Sequence, residues 1–164
     1  MIYCLSEISG AHINPAVSIG FFLTNDLNNK ELLGFMSSQL LGALFASFTI
    51  SCLFVSHDGL GTTLPLGGVP QSFLLECILS FFLMLVILGV SQNEKTRSYT
   101  PIAVGGIIFL EALFAGPIFG ASMNPARSIA PALVSGDLTS LWIYIIAPIV
   151  GVIVAVVLWR ILSR

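Results

Sequence analysis

The chain has 164 residues, 56% of them hydrophobic and only 9% charged, with a formal net charge of −2. A soluble domain carries roughly 25% charged residues, so the composition describes an integral membrane protein and leaves no basic stripe for nucleic acid. Cys4, Cys52 and Cys77 lie in apolar segments without metal-ligand spacing and read as packed thiols; no cofactor motif, nucleophile–base pair or phosphate loop marks an enzyme.

Residues 1–8 form an apolar tail, too short to cross a bilayer and lacking the charged region and cleavage site of a signal peptide. Next come Ser9-Gly10-Ala11-His12-Ile13-Asn14-Pro15-Ala16-Val17-Ser18, an apolar run to Leu23, and a polar loop over 24–30. Residues 31–55 are the first complete span; Gly42, Ala43 and Ala46 put small residues at helical spacing, suited to close helix contact in lipid. Residues 57–70 form a Gly-rich loop with turn signals at Asp58-Gly59 and Gly67-Gly68. Residues 71–91 are a second span, 92–98 a polar loop and 101–119 a third span. Then Phe119-Gly120-Ala121-Ser122-Met123-Asn124-Pro125-Ala126-Arg127-Ser128 repeats the first motif, before a short loop at 135–139 and a last span over 140–162.

At one fixed offset, Gly10, Ala11, Asn14, Pro15, Ala16 and Ser18 match Gly120, Ala121, Asn124, Pro125, Ala126 and Ser128. Such duplication in a membrane chain points to two structural repeats sharing a site. Asn is a strong helix N-cap and Pro is favoured at the first helical position, so each Asn-Pro-Ala predicts a helix start. The apolar runs that follow are shorter than the ~20 residues a span needs. Each copy is therefore expected to be a half-helix that begins near the membrane midplane, with its positive dipole end facing inward.

Charge tests this topology. If both half-helices dip in and return, Lys30, Lys95, Arg97, Arg160 and Arg164 share one face, Asp58 and Asp137 lie on the other, and only Arg127 stays inside the motif. The basic face is then cytoplasmic. Full spans in place of the half-helices would spread Lys and Arg over both faces.

The paired motifs, with Arg127 directly after the second, resemble the signature of the aquaporin, or major intrinsic protein, family. Gln39-Leu40-Leu41-Gly42-Ala43 and Ala147-Pro148-Ile149-Val150-Gly151 are similar to family habits in the adjoining spans. The resemblance implies an all-α membrane protein, an aquaporin-like inverted-repeat helical bundle with two re-entrant half-helices, forming one domain over 1–164. Within it, 1–56 would be the remnant of a first repeat, 57–70 an extracellular connecting loop and 71–164 a complete second repeat. The resemblance implies six spans, of which the first and most of the second are not found in this sequence; either the chain is a truncated or mis-started product, or the missing helices come from elsewhere.

The function implied is a passive channel for water and small uncharged solutes such as glycerol. It would exclude ions and protons and work without a cofactor, as a homotetramer in the plasma membrane bilayer. Asn14, Pro15 and Ala16 would meet Asn124, Pro125 and Ala126 at mid-membrane, each Asn offering an amide N–H to a passing oxygen. Carbonyls of Gly10, Ala11, His12 and Ile13, and of Gly120, Ala121, Ser122 and Met123, would form the acceptor side of the path. By resemblance the selectivity filter takes Arg127, Ala112 and Ala121, its span-2 position being absent. Water-selective members usually place His where Ala112 stands, which favours a broader solute range. Ser128 and Ala132 follow the water-channel pattern, whereas Tyr144 and Ile145 resemble nodulin-like members, and a broad, nodulin-like filter is the expectation. Glu76 is expected to brace a half-helix loop by accepting backbone N–H groups, and His12 either braces its loop or senses. Glu111 either braces the second loop or faces the pore. Two other readings stand: a proton-coupled secondary transporter using Glu76 and Glu111, and a non-conducting truncated product.

Overall fold

The computed structural model describes residues 1–54 and 59–163. Val55, where the first complete span was expected to end, the start of the connecting loop at His57, the Asp58 turn signal and the basic Arg164 lie outside the described residues. Among those described, the chain is all helix: α1 (Ile2–Ser9), α2 (Pro15–Leu23), α3 (Asn29–Leu53), α4 (Val69–Ser91), α5 (Thr100–Phe119), α6 (Pro125–Ser135) and α7 (Leu141–Leu162), with 3-10 turns at Gly59–Gly61 and Arg97–Tyr99. Four of these, α3, α4, α5 and α7, are long and apolar enough to cross a membrane.

Both half-helices begin where the Asn-Pro pair predicts. Asn14 Oδ1 accepts from the Ala16 N–H at 3.0 Å, and Asn124 Oδ1 accepts from Ala126 N–H at 3.0 Å. α3 starts two residues before its apolar run because Asn28 and Glu31 form a reciprocal capping box, each side chain accepting from the other's end of the turn. The tail over residues 1–8 is itself helical rather than irregular: α1 closes on Gly10, left-handed at φ 67°.

The core is centred on α4 and α7. Gly151 makes their approach possible, since a Cβ there would overlap the carbonyl of Cys77 on α4. Leu83, Met84 and Leu88 of α4 pack with Ile143, Tyr144 and Val152 of α7 in the buried cluster. Each half-helix rests on the last span of the other repeat, α2 on α7 and α6 on α3. Outward-facing Phe109, Leu113, Phe114, Val154 and Val157 are exposed, as suits helices that meet lipid.

Candidate pore site

The two loops preceding α2 and α6 turn by the same device. Gly10 and Gly120 are left-handed (φ 67° and 90°), and so are Ala11 and Ala121 (φ 55° and 40°). Met123 adds a further positive φ of 54°. Non-glycine residues in this region cost ~1–3 kcal/mol each and persist only when the surroundings hold them.

The two tips are stapled to each other. Asn14 Nδ2 donates to the carbonyl of Met123 at 2.7 Å, and Asn124 Nδ2 donates to the carbonyl of Ile13 at 3.0 Å. The bonds are reciprocal under the repeat, since Ile13 matches Met123. An amide NH2 has two donors, so each Asn keeps one N–H beyond the staple. The carbonyls of Ile13 and Met123 each already carry a bond, and that of His12 accepts from Gln39 Nε2 at 3.0 Å. Gly10 and Ile13 are exposed, Ala11, His12 and Gly120 half-buried, and Ala121, Ser122 and Met123 buried.

Glu76 holds the second loop from behind. Fully buried on α4, it accepts from the Ser122 N–H through Oε1 at 2.5 Å and from the Met123 N–H through Oε2 at 2.8 Å. A hydroxyl chain fixes the same loop from the other side. Thr63 Oγ1 donates to Ser128 Oγ at 2.8 Å, Ser128 pairs with Ser122 Oγ at 2.5 Å, and Ser122 donates to the Asn124 carbonyl at 2.9 Å. Tyr144 OH donates to the carbonyl of Phe119 at 2.6 Å, tying down the end of α5. In the first loop, Gln39 Nε2 also donates to Ser18 Oγ at 2.9 Å, Ser18 donates to the Asn14 carbonyl at 3.1 Å, and the His12 ring stacks on Phe35 at 4.5 Å.

A groove of about 640 Å³ opens beside the staple, lined by His12, Ile13, Asn124, Ala126 and Arg127 together with Gly42, Ala43 and Ala46 of α3. Arg127 is exposed to it, and among the described residues its guanidinium makes no ion pair. Ala112 is exposed on α5 and Ala121 is buried; neither lines this groove. Positive helix ends converge here from α2 and α6. Among the described residues the groove is therefore lined by one cation, Arg127, by the Asn124 amide and by no carboxylate, while Asn14 is buried behind the staple. Sequence reasoning used Gln39 and Ser128 only as marks of resemblance and gave no loop-holding role to them, to Ser18 or to Thr63. The serines carried a signal in their match across the repeat, and Gln39 in being a lone amide within an apolar span; Thr63 carried none.

Four apolar spans and two half-helices meeting tip to tip define a multi-pass membrane protein built as an inverted repeat. The family model described as Major intrinsic protein matches residues 1–159, and the chain belongs to that family, whose members are channels and not enzymes. It is 44% identical over 155 residues to aquaporin NIP1-1 of Zea mays, covering 93% of this chain and 55% of that protein. To nodulin-26 of Glycine max it is 43% identical over 155 residues, covering 93% and 57%. The X-ray structure of the aquaglyceroporin from Plasmodium falciparum is similar with a TM-score of 0.84 and 28% identity, over 94% of this chain and 73% of that one. The chain thus spans about half the length of the curated relatives it matches.

Proposed function

We propose that the protein works as a passive channel for water and small uncharged solutes such as glycerol, excluding ions and protons. The observation that carries this reading is the reciprocal Asn14–Asn124 staple beside an open groove that also holds Arg127. A permeating molecule's oxygen accepts from the amide N–H groups that the staple leaves over. Two converging helix N-termini and the guanidinium repel cations, and a water accepting from both Asn side chains has no donor–acceptor chain along which to pass a proton.

In this reading Arg127, Ala112 and Ala121 form the filter. The carbonyls of residues 10–13 and 120–123 serve as the acceptor side, those of His12, Ile13 and Met123 through their second lone pairs. The similarity to proteins named aquaporin, and to one named an aquaglyceroporin, supports water and glycerol as permeants. The small Ala112 supports a broad range. A homotetramer in the plasma membrane, with residues 1–56 and 71–164 as the two repeats, completes the proposal. The transporter alternative is disfavoured because Glu76 spends both oxygens on the loop.

Stopped-flow swelling of proteoliposomes tests the function. A channel gives solute flux with a low activation energy, indifferent to a pH gradient. Flux that stops when the gradient collapses overturns it in favour of coupled transport.

A further inference from the structure

One buried carboxyl takes no part in the pore chemistry. Glu111 lies on α5 with Val104, Ala115 and Phe119 on the buried face, and is 2% exposed. Neither Oε1 nor Oε2 has a hydrogen-bond partner among the described residues. Across the α4–α5 contact stands Glu76, whose two oxygens are both taken by loop N–H groups. Both carboxyls lie among the buried residues of these two touching helices. Ser72 and Ser80, one turn on either side of Glu76, are buried hydroxyls that also lack partners. Uncommitted polar atoms thus gather along this one helix face.

A carboxylate only accepts hydrogen bonds, and Glu76 is used in that way, with two N–H donors aimed at it. A second negative charge, buried with no donor, is among the costliest arrangements a membrane interior can hold. A carboxylic acid carries no charge and brings its own donor. We propose that Glu111 is a proton-binding positioning residue: as the neutral acid it leaves Glu76 free to hold residues 120–124 as a carboxylate, and when it gives up its proton that hold weakens and conduction falls.

The step balances simply. Glu111 releases its proton to water, leaving two carboxylates buried on touching helices. Their repulsion pushes the Glu76 carboxylate away from Glu111, and the two hydrogen bonds it accepts from the loop are pulled out of place. The Ser122 and Met123 N–H groups then lose their partner. The loop keeps Ala121 and Met123 at positive φ, a conformation that needs the brace, so Asn124 no longer stays at the staple. Few other titratable groups surround the pair. Cys77 adjoins Glu76 on α4, Arg127 acts on Glu76 from α6, and Glu76 in turn acts on Tyr144 of α7. Arg97 and Tyr99, in the turn packed on the start of α5, are separated from Glu111 by about 18 Å of helix.

The flux half of this inference rests on the channel reading; the proton half does not, and is measured separately. Infrared spectra of the full chain in liposomes are expected to show the carbonyl-stretch band of a protonated carboxylic acid at neutral pH, lost in Glu111→Gln. Glycerol flux of the wild type falls as pH is raised through the loss of that band, while Glu111→Gln stays flat. If Glu111→Gln does not accumulate folded, Glu111→Asp keeps the acid and shifts the band's frequency. A neutral-pH spectrum with no band that depends on residue 111 overturns the proposal, as does one pH profile of flux shared by wild type and Glu111→Gln. A residue-111 band in a protein that passes no solute counts against the channel and for the proton site.

Discussion

The two re-entrant loops share a motif and a shape but are held by different chemistry. The second is clamped on both sides: Glu76 takes two of its N–H groups, and the Thr63–Ser128–Ser122 hydroxyls take its other edge. Its residues 121–123 are buried. The first is held through one amide, Gln39, and through the His12 ring between Phe21 and Phe35. Among the described residues no carboxylate takes the His12 or Ile13 N–H, and Ile13 is half exposed. Within these 164 residues the duplicated motif fixes the backbone path twice, and the side chains seen to hold it differ between the two loops. The charge is unequal too. At the position after the shared Asn-Pro-Ala, the first repeat has the buried Val17 and the second the exposed Arg127.

Removing the carboxylate brace is the harshest test of that contrast. Glu76→Ala leaves two buried N–H groups without a partner, at about 1–3 kcal/mol apiece, and releases the strained residues 121–123. A large fall in thermal unfolding temperature with loss of solute flux is expected. A variant as stable as wild type would show that the hydroxyl chain alone holds the second loop.

Next in size is the staple. Asn14→Ala and Asn124→Ala each lose a helix cap, about 0.5–2 kcal/mol, and one crossing bond. Because the two crossing bonds hold the same pair of tips, the double variant should cost less than the sum, with a coupling of ~0.5–3 kcal/mol. Strict additivity in thermal unfolding would mean that the loops are positioned independently.

Arg127→Val makes the second motif match the first. The expected outcome is a rise in cation or large-solute leak with water flux retained and little change in stability, read in the same liposomes. Unchanged selectivity removes Arg127 from the filter. Ala112→His tests the opposite adjustment, narrowing the path so that glycerol flux drops more than water flux; an equal drop counts against Ala112 as a filter position.

Much of this architecture was legible because local chemistry encodes it. Asn-Pro-Ala specifies a cap and a start, and the short run that follows is too short to span. What could not be read were contacts that join distant residues without a local pattern. Thr63, in the stretch before α4, reaches Ser128 on α6, and Tyr144 on α7 reaches Phe119 at the end of α5. The helical nature of residues 2–9 was missed because eight residues, with Ser6, Glu7 and Ser9 among the apolar ones, are too few to show a periodicity that separates a helix from a tail, and the Gly10 cap was read as part of the motif. Glu111 could be singled out as unexpected in a span, but its want of a partner is visible only once α4 and α5 are in contact.

The mildest expected effect distinguishes the loops best. Gln39→Leu takes one donor from the His12 carbonyl and one from Ser18 Oγ, each net contribution being about 0.5–1.5 kcal/mol. It also removes Gln39 Oε1, a buried acceptor with no partner, and losing that cost offsets part of the damage. The His12 ring still packs between Phe21 and Phe35, and Ser18 still donates to the Asn14 carbonyl. A loss near 1 kcal/mol in thermal unfolding, with flux retained, is expected. A loss as large as that of Glu76→Ala would mean that the first loop, too, hangs on a single brace, and the asymmetry between the two repeats would be one of chemistry without being one of stability.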